Sequence, residues 1–277
     1  MFADLDQCIK CTACMSQCPV TLANPAFDGP KRLGPDRVRL AGAAPAYLPA
    51  SLKLCSNCRN CDMACPHGVN ISRMINLARG ENPSPKLRDR LLADVELAGR
   101  LVNLVPFNTL PALVAAVEPL QGLAARWFGV SKAVGFFRGG GYGPAAFARL
   151  RQKPAARRVI YFPGCFASYF EPRVGQAAIR ILNHLGFLVE LPRVFCCGLP
   201  FLANGFLQKA RAKAVRNLDA LCGPGLQELD IVTTCPSCRL MLEKEYRDLF
   251  GLERATEVAA RVCDLFEFLH RQGVDIS

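Results

Sequence analysis

No phosphate-binding glycine loop, dinucleotide fingerprint or Ser-His-Asp set occurs in the 277 residues, which sets aside nucleotide-dependent and serine-hydrolase chemistry. The opening residues, MFADLDQCIK, lack a basic n-region, an apolar core and a small-residue cleavage site. The sequence therefore predicts no secretory signal and a reducing cytoplasm. Long apolar runs are missing too. LVNLVPFNTLPALVAAV carries two prolines and two asparagines and falls short of the roughly 20 residues a spanning helix needs. Acidic residues are absent from Pro119 to Phe170, a stretch with eight Lys and Arg, among them Arg126, Lys132, Arg138, Arg149 and Lys153. Trp127, Phe128, Phe136, Phe137 and Tyr142 are interleaved with them, and the formal net charge is +11. Basic and aromatic residues together suit the surface of an anionic membrane. An acidic partner protein is the competing reading, and no motif points to nucleic acid.

What is abundant is cysteine, with 15 residues, most of them in three clusters. An odd count in a long chain favours metal ligation over a disulfide framework. CIKCTACMSQCP places Cys8, Cys11, Cys14 and Cys18 before Pro19, and CSNCRNCDMACP places Cys55, Cys58, Cys61 and Cys65 before Pro66. Each run is C-x2-C-x2-C-x3-C-P, a spacing that suits a tetrahedral zinc site poorly. In the bacterial two-cluster arrangement, three cysteines of a run bind one 4Fe-4S cube and the fourth binds the other. The expected sets are Cys8, Cys11, Cys14 and Cys65 for one cluster, and Cys55, Cys58, Cys61 and Cys18 for the second. A zinc or thiol cluster is the bland alternative.

The insert between the runs, Pro19 to Leu54, predicts the helical type of two-cluster domain, with a helical stretch around Arg37 to Ala43. Its charges, Asp28, Lys31, Arg32, Arg37 and Arg39, read equally as a solvated loop or as groups that tune the clusters. His67 reads as a residue bonding a helix end, since both four-cysteine sets are complete without it. From Leu87, the residues Leu91, Val95, Ala98, Val102 and Val105 form one apolar helical stripe.

The C-terminal half alternates strand and helix signals. VIYFPGC ends a strand at Cys165, and a helix follows from about Arg173 to Leu185. LVELP reads as a second strand, after which Cys196 and Cys197 stand side by side. A helix from about Leu207 to Leu221 precedes DIVTTCPSC, a third strand delivering Cys235 and Cys238 to the start of another helix. Cys222 and Cys263 fall in helical patterns and read as buried small hydrophobes. AARVCDLFEFLHRQG reads as one closing helix.

YFPGC, FCCG and TCPSC resemble the cysteine-rich CCG module found in heterodisulfide reductases and their relatives. That resemblance implies five ligands, Cys165, Cys196, Cys197, Cys235 and Cys238, around a non-cubane iron–sulfur cluster. CIKCTACMSQCPV, NPAFDGPKRLGPDRVRL and CCGLPFLANGF resemble, more narrowly, the family of iron–sulfur subunits of anaerobic glycerol-3-phosphate dehydrogenases, and the likeness covers essentially the whole chain. It implies a non-catalytic electron-transfer subunit, peripheral on the cytoplasmic face of the cell membrane. Its partners would be flavoprotein catalytic subunits, and its acceptor menaquinone. The alternative is membership of a heterodisulfide reductase-like or a lactate- or glycolate-oxidising complex. Family members usually carry a second CCG module, whereas this chain stops at Ser277 after a single one; either the chain is truncated or a shortened form works with one module. The expected fold is α+β: a helical bis-4Fe-4S ferredoxin domain over residues 1–80, a basic and aromatic connecting segment over 81–155, and an α/β CCG half-domain over 156–277.

Overall fold

The structure is a computed structural model that describes residues 7–40, 50–81, 83–84, 86–98, 147 and 150–274. The basic and aromatic residues from Arg126 to Tyr142, Arg149 and the positions Val102 and Val105 lie outside the described residues. The chain divides into two compact units: residues up to Arg90 together with Pro200–Lys209, and Leu91–Leu199 together with Ala210 onward.

The first unit is helical. Its short helices are α1 (Ala13–Ser16), α2 (Pro19–Ala23), α3 (Gly29–Lys31), α4 (Arg37–Leu40) and α5 (Asn60–Met63), followed by the longer α6 (Ile71–Glu81) and by α7 (Leu87–Ala93). Pro19 opens α2 at the position where a missing N–H costs nothing, with Cys18 as the cap. Ile71, Met74, Ile75 and Ala78 recur at helical spacing on α6 and are buried against Phe27, Leu33, Leu52 and Val69. The insert is more than a solvated loop. A π-helical turn, Arg32–Asp36, joins α3 to α4 and buries Leu33, Gly34 and Pro35. Asp28 accepts from Ser51 Oγ at 2.5 Å and from Arg32 at 2.9 Å, and Arg37 pairs with Glu81. The apolar stripe expected from Leu87 is not a packed face among the described residues. The helix is interrupted at Asp94, and Leu87 and Leu91 are exposed while Ala93 and Glu96 are buried.

The second unit is built on four parallel strands, β1 (Arg157–Phe162), β2 (Phe187–Glu190), β3 (Ile231–Thr233) and β4 (Val262–Asp264), in the order β2-β1-β3-β4. Residues Val159 to Phe162 are buried on both faces, as a central parallel strand requires. Its helices are α8 (Pro172–His184), α9 (Leu199–Ala203), α10 (Leu207–Leu221), α11 (Pro236–Leu240), α12 (Tyr246–Asp248), α13 (Ala255–Arg261) and α14 (Leu265–Arg271); α9 and the first turn of α10 fall largely in the first unit. Ala178, Ile179 and Leu182 of α8 share a core with Leu265, Phe268 and Leu269 of α14. The free edge of β2 is covered by a side chain: Val189 N–H donates to Gln152 Oε1 at 2.8 Å, and Gln152 Nε2 donates to the Val189 carbonyl at 3.0 Å.

The stretch AARVCDLFEFLHRQG is not one helix. It contains the end of α13, then β4, then α14, and Cys263 pairs with Val232 on β3 instead of sitting in a helix. Asp264 restarts the helix by accepting from Glu267 N–H at 2.9 Å. Among the described residues no helix is long and apolar enough to cross a membrane.

Candidate metal centres

The two cysteine runs of the first unit meet in a crossed fashion. One small cavity is lined by Cys8, Cys11, Cys14 and Cys65 together with Lys31, His67 and Ile71. A second is lined by Cys18, Cys55, Cys58 and Cys61 with Phe27, Asn57, Arg59 and Ile75. Burial pushes the Cys14 thiol up to about 11, and Cys8, Cys11 and Cys65 add to that. Burial also raises the Cys55 thiol, to which Cys58 and Cys18 contribute. Each fourth cysteine thus belongs to the cavity of the other run. His67 stands in a turn and lines the first cavity, exposed to solvent.

Backbone conformation repeats with the sequence. Lys10, Thr12, Asn57 and Arg59 are the four non-glycine residues with positive φ among the described residues, at 62°, 66°, 57° and 64°. They occupy matching places on either side of Cys11 and Cys58. Left-handed residues fold successive amides into concave, anion-holding loops, and the strain persists only where surroundings impose it.

Polar groups behind the second cavity also face inward. Arg79, buried on α6, donates to the Leu52 carbonyl at 3.1 Å and to the Cys55 carbonyl. Its charge counteracts the upward push of burial on the Cys55 thiol. Asn76 Nδ2 donates to Asn57 Oδ1 at 3.1 Å. The buried Asn57 Nδ2, from a residue lining the cavity, has no hydrogen-bond partner. An unpartnered buried donor beside four thiols fits a group that brings its own acceptors, such as the inorganic sulfides of an iron–sulfur cluster. At the first cavity, Arg39 donates to the Cys8 carbonyl at 2.8 Å.

The five cysteines of the second unit converge from three loops. Crossing from β1 out to β2 and back to β3 opens a crevice at the carboxyl ends of β1 and β3. Cys165 follows β1, Cys196 and Cys197 follow β2, and Cys235 and Cys238 follow β3. Neighbouring thiols act on one another's protonation in the order Cys165, Cys196, Cys197, Cys238, Cys235. A hydrogen bond from Cys238 holds the Cys235 thiol down to about 6, and one from Cys165 holds Cys196 well below its usual range. Gly164 has φ +63°, and a methyl group there would lie 2.5 Å from Cys238 Sγ. Only glycine permits both the turn and the approach of that sulfur. Cys222 and Cys263 are buried away from this set, and Arg261 reaches Cys222 Sγ at 3.9 Å.

Four residues at this site carry no motif in the sequence. Asn217 accepts from Phe195 N–H at 2.7 Å and donates to the Cys196 carbonyl at 3.2 Å. Tyr246 donates to the Cys197 carbonyl at 2.9 Å. Glu96 accepts from Cys196 N–H and pairs with Lys213. Among the described residues, no three His, Cys, Asp or Glu side chains converge as they would on a single metal ion.

Comparison with known proteins agrees with this division. A family model described as a 4Fe-4S dicluster domain matches residues 4–69, and one described as a cysteine-rich domain, CCG, matches residues 159–243. The C subunit of the anaerobic glycerol-3-phosphate dehydrogenase of Escherichia coli (strain K12) is 32% identical over 271 residues, covering 92% of this chain and 67% of the relative. The glycolate oxidase iron-sulfur subunit of the same organism is 26% identical over 292 residues, covering 98% of this chain and 67% of the relative. The B subunit of the fumarate reductase (CoM/CoB) of Methanothermobacter marburgensis is 26% identical over 282 residues, covering 97% of this chain and 48% of the relative. No solved structure matches the chain.

Proposed function

The chain belongs to the family of the anaerobic glycerol-3-phosphate dehydrogenase C subunit, and from that membership we propose that it is the electron-transfer subunit of such an enzyme. In this reading it takes electrons from a flavin-bearing catalytic partner that oxidises glycerol 3-phosphate. It delivers them to menaquinone at the cytoplasmic face of the cell membrane. The observation that carries the reading is the pair of cavities, each ringed by four cysteines drawn from both runs. Cys8, Cys11, Cys14 and Cys65 would hold one 4Fe-4S cluster, and Cys18, Cys55, Cys58 and Cys61 the other. Cys165, Cys196, Cys197, Cys235 and Cys238 would hold a non-cubane cluster. An iron–sulfur cluster supplies one-electron transfer at a potential set by nearby charge, hydrogen bonds and solvent exposure.

The chain's own residues set those conditions. The buried Arg79 guanidinium puts positive charge beside Cys55 and favours added negative charge there. The Asn57 amide offers a donor to sulfur. Burial of Cys14, Cys18 and Cys61 keeps water from the sulfurs. No residue of this chain is assigned to substrate chemistry.

The test is an anaerobically purified complex with its flavoprotein partners. Added glycerol 3-phosphate should reduce the iron–sulfur signals seen by electron paramagnetic resonance, and glycolate or lactate should not. The reverse pattern would place the chain with the glycolate-oxidising relatives.

Contact with the membrane is argued from charge. The described end of the basic stretch places Arg151 and Lys153 with Arg180 around a surface cavity of about 220 Å³. Each cation near an anionic surface is worth about 1 kcal/mol, screened by salt. Liposome flotation should show binding to anionic vesicles that weakens as salt rises, and weaker binding still for an R151E/R180E variant. Equal binding to neutral vesicles, or none to either, would make this face a protein–protein interface.

A further inference from the structure

The ligand set leaves one buried group at the cysteine-rich centre without an assignment. The peptide groups of residues 195–197 are held almost atom by atom: Asn217 takes Phe195 N–H and the Cys196 carbonyl, and Tyr246 takes the Cys197 carbonyl. Only the Cys196 N–H is bonded to a charged side chain, that of Glu96, which is 6% exposed. The other carboxylate oxygen pairs with Lys213, whose side chain is 15% exposed. Lys213 stands one turn before Asn217 on α10, with its ammonium 5.3 Å above the centre of the Phe195 ring.

An ion pair is a costly way to satisfy one amide. Taking two charges out of water carries a large desolvation cost, which their attraction repays only in part. A glutamine at position 96 would accept the same N–H without a charge. The added feature of the native pair is a fixed negative and a fixed positive charge beside Cys196, where thiolates must gather. In a low-dielectric site, such charges act strongly on any neighbour whose own charge changes.

We propose that Glu96 and Lys213 are positioning residues for the five-cysteine centre, the carboxylate orienting the Cys196 peptide while the two opposite charges together set the centre's redox potential. The proposal rests on the reading that these cysteines hold an iron–sulfur cluster. Glu96 raises the cost of adding an electron nearby, and Lys213 lowers it. The pair therefore holds the potential between the values that either charge alone would impose.

The experiment is a charge cycle on the full chain, purified anaerobically with its clusters: Glu96→Gln, Lys213→Met and the double variant. Redox titration followed by electron paramagnetic resonance reads the centre, and iron and sulfide are counted for each protein. Glu96→Gln should shift the midpoint upward and Lys213→Met downward. At a fixed poise, each should change the reduced-to-oxidised ratio by about tenfold, in opposite senses. The double variant should return close to the native midpoint, and all three should keep their iron. Shifts of the same sign in both single variants, or no shift in either, would overturn the proposal. So would loss of iron from both, because a purely structural role predicts that. A native chain with iron enough only for the N-terminal cysteines would overturn the underlying reading, and the proposal with it.

Discussion

Replacing Cys18 by serine should abolish the cluster held by Cys55, Cys58 and Cys61 while leaving intact the one nearest to it in sequence. Cys18 caps α2 and is 8% exposed. It lines the cavity of the second run, and it contributes to the raised thiol of Cys55. Cys14, four residues away, is influenced instead by Cys8, Cys11 and, from the other run, Cys65. Serine at position 18 removes a thiolate from the second set only. About four of the roughly eight irons expected in the N-terminal unit should be lost, together with one of two electron paramagnetic resonance signals. Cys65→Ser should give the converse pattern. Loss of only the Cys8-Cys11-Cys14 cluster on changing Cys18 would refute the crossed assignment.

The second large effect concerns iron removal. A chelator under reducing conditions should unfold the N-terminal unit while the parallel sheet survives. Cys14, Cys18 and Cys61 are members of the N-terminal core, with Cys8, Cys55 and Cys65 packed against it. Four non-glycine residues there are held left-handed, at about 1 kcal/mol or more each. The buried nitrogens of Asn57 and Arg79 without partners each cost about 1 to 3 kcal/mol. Bound clusters offset these terms, and without them a helical unit this small is left with a deficit. The sheet's core contains none of the five cysteines proposed as ligands. Hydrogen exchange is the measurement: amides of residues 7–81 should lose protection about a thousandfold or more, from several kcal/mol of local destabilisation. Amides of β1 and β3 should keep theirs. Equal loss in both units, or none in either, would show that the clusters do not carry the folding of the first.

The parts of this molecule visible in the sequence are those with a short-range signature. The cysteines grouped by spacing line two cavities, and the helix Leu207–Leu221 stands where its periodicity placed it. The bounds of α8 and the positions of β1, β2 and β3 also follow local pattern closely. β4 was hidden because AARVCDLFEFLHRQG satisfies a helical repeat throughout; only pairing of Val262 and Cys263 with β3 makes a strand there. The insert was legible as helical from its pattern, but that Pro30, Leu33 and Pro35 would be buried against α6 was not, because prolines and charges carry no burial signature of their own. Glu96, Lys213, Asn217 and Tyr246 were invisible because a polar residue on a helix has no spacing to mark what its side chain bonds 21 to 117 residues away in the chain.

The membership of Pro200–Lys209 in the first compact unit bears on the order in which the protein is made. Within that unit, a methyl group on Gly80 would lie 2.0 Å from Leu207 Cδ1, and Ser84 N–H donates to the Asn204 carbonyl at 3.2 Å. These contacts join a helix finished early in synthesis to a segment that leaves the ribosome more than a hundred residues later. At roughly 5 to 20 residues per second, that is a delay of about 6 to 25 s. The residues lining both four-cysteine cavities all precede Gly80, so all eight cysteines are made before the unit's last piece. A nascent chain stalled before Pro200 would carry all eight cysteines of the two runs and lack the contacts that Gly80 and Ser84 make with Leu207 and Asn204.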